Sequence, residues 1–365
     1  MSAPLISVVM SVFNGERFLA EAVESILAQT LRDFEFLIID DGSRDGTAQM
    51  LAAYAGRDPR VRILSQENRG LISALNRGIA SAAGRYIARM DADDVSKPGR
   101  FEQQVAFLEA HPELAMVGGA VAFINGDGEF LRENVNPTED AEIRAALVDD
   151  CPFWHPTVLI RKDVLEATGG YRSVVLDAED NDLWLRIAEK YPVANLAAVV
   201  LSYRLHANQV TVTKCRRMAL SALAARASAR LRRNGEVDPL DHLQEITPEA
   251  LVAMGVSLAA QEAALAERYL YFIRNMTQTG ERGVAQQALL EMLSSSEWKH
   301  AGRRVMADLR LLAAELYWQQ GEFAKSAVQT GHALKMRPVS LGRPLKWLAR
   351  KLGEGSAVRT SNSAL

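Results

Sequence analysis

The chain is poor in cysteine. Its 365 residues include two, Cys151 and Cys215, with no C-x-x-C spacing. They imply no disulfide framework, which fits a reducing compartment. Long apolar runs are missing as well: none approaches the ~20 residues that span a bilayer. The N-terminus lacks the basic stretch, apolar core and cleavage site of a signal peptide, so the expected location is cytoplasmic. Net charge is small, at −3, in a chain that is 48% hydrophobic and 24% charged. Such a composition excludes a disordered polymer and suits a globular protein long enough for two domains.

The small net charge conceals a division. Residues 1–215 carry 21 Lys+Arg against 31 Asp+Glu, a balance of −10, and residues 216–365 carry 21 against 14, a balance of +7. The split predicts a boundary near 215, with domains at 1–214 and 215–352 and a Ser/Gly-rich tail at 353–365. The second half faces something anionic, such as a membrane surface or the first half, or simply presents a solvated basic face.

Strand and helix patterns alternate over the first 130 residues. Apolar runs at 5–13, 34–39, 61–64, 86–90 and 115–124 read as buried strands. Segments 16–29, 45–55, 71–83 and 97–109 read as helices, the first placing Phe18, Leu19, Ala22, Val23, Ile26 and Leu27 at helical spacing. The series predicts an α/β fold with a mainly parallel sheet and helices on both faces. Residues 155–160 read as a strand, 182–191 as a helix and 193–205 as one or two strands. Beyond 215, helical patterns run through 216–233, 258–278, 281–294 and 301–319. The stretch 312–337 loosely resembles one tetratricopeptide hairpin, without a second copy.

In such a sheet, ligands bind beyond the carboxyl ends of the strands. Three polar clusters fall there: Asn14, the pair Asp40-Asp41, and the run Asp91-Ala92-Asp93-Asp94. Carboxylates this close raise one another's pKa, and a fold tolerates them readily only with a cation among them. Hard oxygen ligands select Mg²⁺ or Mn²⁺, ions that keep positions open for phosphate oxygens. Alone, the run reads equally as an acidic loop. Glu179-Asp180 is a second acidic pair, and Asp182 follows it.

Six ordered stretches make the first 212 residues resemble a family 2 glycosyltransferase, which has the nucleotide-sugar-binding fold called GT-A. They are residues 6–16; Ile38-Ile39-Asp40-Asp41-Gly42-Ser43 with Asp45-Gly46-Thr47; Glu67-Asn68-Arg69-Gly70; Asp91-Ala92-Asp93-Asp94; Ala178-Glu179-Asp180-Asn181-Asp182-Leu183-Trp184; and Tyr203-Arg204-Leu205-His206. The resemblance implies a donor sugar on a nucleoside diphosphate, with uridine as the favoured base. Asp41 or Asp40 would accept from the ring N–H of the base. Ser11, Phe13, Asn14 and Glu16 would border base and ribose, with ordinary turn polarity as the alternative for Asn14 and Glu16. Asn68 and Arg69 would lie near the nucleotide, Arg69 equally reading as a surface charge.

By the same resemblance, Asp91 with Ala92 lies at the ribose and Asp93 ligates Mn²⁺ or Mg²⁺, which bridges the two phosphates. His206 completes the metal shell, or is structural. Asp180, assisted by Glu179, is the general base that takes the acceptor's proton, with Asp182 as the second candidate, so that attack inverts the anomeric centre. His155 and Trp184 fall on the acceptor side, with packing as their alternative. The first stretch departs from the family's Pro-x-Tyr-Asn: here it is Ser11-Val12-Phe13-Asn14, which loses a rigid turn and a hydroxyl. The Gln-x-x-Arg-Trp signature of processive synthases is absent, which favours transfer of a single sugar to a glycan or lipid-linked acceptor of a surface polysaccharide.

Two rivals remain. A nucleotidyltransferase would carry a glycine-rich, basic loop after the first strand, and residues 11–18 hold one glycine and one arginine. A non-catalytic binding module with a relic transferase domain would not need Asp93 and Asp180. Nucleic acid is not an expected partner. Residues 341–352 place Leu345, Trp347, Leu348 and Leu352 among Arg343, Lys346, Arg350 and Lys351, which suits a helix lying peripherally on an anionic inner-membrane face or a plain surface helix.

Overall fold

The computed structural model describes residues 3–206, 212–294 and 302–337. They form two compact units. One comprises residues 3–206 and 220–255, and the other residues 212–219 with the described residues from 256 onward. The boundary expected at 214/215 falls inside a helix, Val212–Arg233. The basic stretch 341–352 and the tail lie outside the described residues.

The first unit is built on a nine-stranded sheet. Its strands are β1 (Ile6–Val12), β2 (Phe34–Asp40), β3 (Val61–Ser65), β4 (Tyr86–Asp91), β5 (Val95–Ser96), β6 (Met116–Ile124), β7 (Phe130–Asn134), β8 (Leu159–Arg161) and β9 (Val193–Arg204). The order is β3-β2-β1-β4-β8-β6-β9-β5, with β7 beside β6. β3, β2, β1 and β4 are mutually parallel, as their largely apolar runs predict. β8 then enters antiparallel to both β4 and β6, and β9 runs parallel to β6. The sheet is therefore mixed beyond its first four strands.

The strand expected over residues 155–160 is shorter. His155–Thr157 forms a 3-10 turn, and β8 begins at Leu159. Pro156 has no N–H to give a ladder, so pairing starts only after it. The helix expected from 182 starts earlier, at Glu179, and β5 and β7 are too short or too polar to register as apolar runs.

Alternation along the central strands explains why helices cover both faces. Val8, Met10, Val12, Phe36, Ile38 and Met90 join a core with Leu19, Ala22, Val23 and Ile26 of the helix Leu19–Leu27 and with Phe101 and Leu108 of the helix Arg100–Ala110. Ser7, Val9, Ser11, Ile39, Arg89 and Asp91 alternate to the other face. The helix Leu71–Ser81 packs there at Gly78, where a Cβ would stand 2.5 Å from Val9 Cγ1 and 2.7 Å from Ile39 Cδ1.

The described part of the second unit is helical. The helices Leu258–Gln278, Arg282–Ser294 and Arg303–Gln319 bury Phe272, Ile273, Leu289, Leu309 and Leu316 together with Cys215. Arg303–Gln319 and Phe323–Met336 form a hairpin turned at Gly321, whose φ of 78° suits glycine. Among the described residues, no helix is long and apolar enough to cross a membrane.

The contact at Gly78 sets a test. Gly78→Val should overpack the sheet and lower unfolding stability by about 1–3 kcal/mol in urea titrations. Gly56→Val, where no atom lies within 4 Å of the added Cβ, should change it by less.

Candidate active site

Register places the polar strand ends side by side. Ser11 of β1 pairs with Ile39 of β2 on one side and Asp91 of β4 on the other, and Val12 pairs with Asp40. Adjacent strands lie ~4.8 Å apart, so Asp40, Asp41 and Asp91 share one rim. Asp41 N donates to Val12 O at 2.9 Å and carries the alignment past the strand end.

The loops above this rim are zipped together. Asn14 has a φ of 52°, a left-handed conformation that asparagine tolerates. Its Oδ1 accepts from Arg44 N at 2.8 Å, and its N donates to Ser43 Oγ at 3.0 Å. Glu16 Oε2 accepts from Gly46 N at 2.9 Å, and Glu16 N donates to Asp45 Oδ2 at 3.2 Å. Asp40 Oδ1 accepts from Ser43 N at 3.0 Å. Asp41 is buried and closes the next loop: Oδ1 accepts from Gln66 Nε2 at 2.7 Å and Arg69 N at 2.9 Å, and Oδ2 from Gly70 N at 2.9 Å. Gly42, with a φ of 80°, lets Asn68 N approach to where a Cβ would stand 2.8 Å away. Asn14, Glu16, Asp40 and Asp41 thus shape these turns, while Phe13, Asn68 and Arg69 are exposed on them. Phe13 is 47% exposed, unusual for a phenyl ring.

Asp91, Asp93 and Asp94 each offer a carboxylate oxygen, and the three oxygens lie within 4.8 Å of one another. Asp94 is fully buried: Oδ1 accepts from Arg204 N at 2.8 Å, and Oδ2 meets no partner. Burial, then the charges of Asp93 and Asp91, push the Asp94 carboxyl well above the usual carboxylate range. Burial likewise raises Asp91, against the pull of Arg89. A buried, unpartnered oxygen among hard carboxylates is what a divalent cation would satisfy, so these residues fit Mg²⁺ or Mn²⁺. His206 Nε2 lies 3.0 Å from Asp93 Oδ2, and its buried Nδ1 has no partner. The ring is set by Phe18, 4.9 Å away between centroids. Ala92 sits half-buried in the turn between Asp91 and Asp93. Arg204 braces that turn, giving Nε to the Asp93 carbonyl at 2.8 Å and Nη2 to Glu21 at 2.6 Å.

The second acidic pair opens the helix Glu179–Ala188. Glu179 is buried and Asp180 half-exposed, with Asp180 Oδ1 accepting from Asn181 N at 2.7 Å. Burial and the Asp180 charge raise Glu179 to about 8. The Asp180 charge also contributes to the rise at Asp91, which puts the two acidic groups in one electrostatic neighbourhood. His155 Nδ1 lies 3.9 Å from Glu179 Oε1, and its Nε2 is 2.7 Å from Tyr171 Oη. Burial, helped by Arg89, holds His155 well below the usual histidine range, so the ring is neutral.

Trp184, expected on the acceptor side, is instead fully buried, with its ring against Phe153 and His155 at 6.0 and 5.9 Å. It backs His155 and has no surface left for a sugar. Asp182 is structural: Oδ2 accepts from Arg186 Nε at 2.9 Å.

Sequence reasoning missed Arg89 and Tyr171. Arg89 is 4% exposed in β4 and pairs with Asp91. Its signal was a lone arginine in an apolar strand, two residues before an acid. Tyr171 is pinned by Asn76, which gives Nδ2 to Tyr171 O at 2.8 Å and accepts from Tyr171 N at 3.0 Å. Nor did the sequence suggest that residues 220–255 brace this wall. Asp238 there pairs with Arg172 at 2.8 Å and Arg232 at 2.6 Å, and Arg232 reaches Glu189 at 2.8 Å.

Comparison with known proteins agrees with this geometry. The model of glycosyl transferase family 2 matches residues 7–169. The O-antigen biosynthesis glycosyltransferase WbnJ of Escherichia coli is 37% identical over 206 residues, 55% of this chain and 80% of that protein. The amylovoran biosynthesis glycosyltransferase AmsE of Erwinia amylovora is 34% identical over 210 residues, 56% of this chain and 78% of that protein. Among solved structures, S. aureus TarS 1-349 in complex with UDP matches with a TM-score of 0.50 at 15% identity, covering 91% of this chain and 90% of that one, a likeness of fold. The fold is therefore of the GT-A type. The chain belongs to glycosyl transferase family 2.

The raised Glu179 carboxyl predicts a pH signature. From its ordinary value of 4.5 up to about 8, the unfolded chain releases this proton while the folded one keeps it, so stability falls as pH rises across that window. Glu179→Gln should remove the slope and raise stability at pH ~8 by about 2–4 kcal/mol, measured as Tm against pH.

Proposed function

We propose that the protein transfers a single sugar, with inversion, from a nucleoside diphosphate donor to a glycan or lipid-linked acceptor. The observation that carries this reading is the meeting of two acidic groups, Asp91-Asp93-Asp94 and Glu179-Asp180, at one end of the sheet. One group suits a metal-bound diphosphate and the other a hydroxyl nucleophile.

On the donor side, a nucleotide would lie across the loops of Asn14, Asp41 and Asn68. Phe13 offers its exposed face to the base. Asp41 Oδ2 takes one hydrogen bond within the protein, from Gly70 N, and a carboxylate oxygen has room for two. That capacity suits the ring N–H of uracil, and a UDP-sugar is the favoured donor. Ser11, Glu16 and Arg69 would border the nucleotide, and Asp91 with Ala92 the ribose. Asp93, Asp94 and His206 would hold Mn²⁺ or Mg²⁺. When bound there, the ion supplies charge neutralisation of the leaving diphosphate.

On the acceptor side, Asp180 takes the hydroxyl proton. Glu179 stays protonated near neutral pH, so the pair bears a single negative charge, on its more exposed member. His155 holds Tyr171 and backs Glu179 without adding charge. The acceptor oxygen then attacks the anomeric carbon from the face opposite the diphosphate. The relatives named for O-antigen and amylovoran biosynthesis support a polysaccharide as the product class. An acceptor borne on an anionic membrane surface and met from the cytoplasm would suit the +7 balance of residues 216–365.

Asp180→Asn should keep Mn²⁺-dependent binding of UDP-sugars in thermal-shift assays yet lose about 10²–10⁴-fold in turnover. Asp93→Ala should lose the binding itself. The reading is overturned if no nucleotide sugar shifts the Tm of the parent with Mn²⁺, or if Asp180→Asn turns over normally.

A further inference from the structure

Arg89 has no part in the reaction just described, yet it occupies an unusual place. It stands in the middle of β4, paired in register with Val9 of β1, and its N donates to Val158 O at 3.1 Å. Buried parallel strands ordinarily carry apolar side chains at such positions. A guanidinium keeps its charge at any physiological pH, so burying one is costly unless a counter-charge lies beside it. Arg89 Nη1 lies against the Asp91 carboxylate as an ion pair without hydrogen-bond geometry, and Nε meets no acceptor. Two residues apart on a strand, Arg89 and Asp91 share a face.

Two other buried arginines nearby have different duties. Arg100 gives Nη2 to the Arg89 and Val158 carbonyls and Nε to Gln104. Arg204 serves the Asp93 carbonyl and Glu21. Both side chains serve backbone carbonyls and groups outside the carboxylates of the acidic run.

We propose that Arg89 is a positioning residue, the resident counter-cation of the donor site, which holds Asp91 in place and balances the acidic run before a divalent ion binds. The inference rests on the donor and metal reading above. It makes the carboxylate cluster pre-formed, so that binding of the ion does not have to assemble it. A packing role alone would be met by an apolar side chain of similar volume.

Thermal unfolding of the parent, Arg89→Met and Arg89→Lys, each with EDTA and with excess MnCl₂, tests the assignment. In EDTA, Arg89→Met should melt roughly 5–10 °C below the parent, and Arg89→Lys should recover most of the loss. MnCl₂ should raise Arg89→Met by more than it raises the parent. Adding Asp91→Asn to Arg89→Met should restore the Tm in EDTA, because the charge that needed balancing is gone. The inference is overturned if Arg89→Lys melts as low as Arg89→Met, or if Asp91→Asn fails to rescue. Should Arg89→Met not fold, the double variant decides: a folded protein supports the inference, and an unfolded one overturns it. A parent without any Mn²⁺ response would sink the metal reading alone, since the comparisons in EDTA still judge Arg89.

Discussion

Repulsion among carboxylates is the constraint around which the first unit is organised. Asp91, Asp93, Asp94, Glu179 and Asp180 converge at the carboxyl edge of the sheet, and burial sharpens every interaction among them. The surroundings answer in different ways. Arg89 supplies a buried positive charge, Arg204 N gives Asp94 a hydrogen bond, and Glu179 yields its charge by keeping a proton. What is left over, an unpartnered oxygen on Asp94, suits an ion from outside.

Glu179 and Asp180 differ in burial. Glu179 is buried beside His155 and keeps its proton, while Asp180, one residue on, lies half-exposed at the helix start. One helical turn thus carries a protonated carboxyl next to a second, more exposed acid. His155 stands beside Glu179 as a neutral ring, because burial and Arg89 both oppose its protonation.

Much of this was legible in the sequence. The four parallel strands announced themselves through largely apolar runs, and because strand ends define the binding rim, Asp40, Asp41 and Asp91 could be placed without coordinates. The mixed half was harder to read. Pro156 cut a strand short, β5 spans two residues, and β7 is polar. Long-range polar contacts left no local trace: Tyr171 with His155 across 16 residues, or Arg204 with Asp94 across 110. The helical position of Trp184 suited packing and display alike, and its burial favours packing. Residues 220–255 join the first unit through Asp238 and Arg232, a partnership that composition does not reveal.

Asn76 belongs to the helix behind the Asp41 loop, yet it grips the backbone of Tyr171 with two hydrogen bonds. The walls flanking the cleft are consequently yoked. Natural variation that slides that helix would drag the tyrosine, and with it the imidazole it touches. On the function proposed above, donor and acceptor preferences would then drift as a pair rather than evolve by separate adjustments.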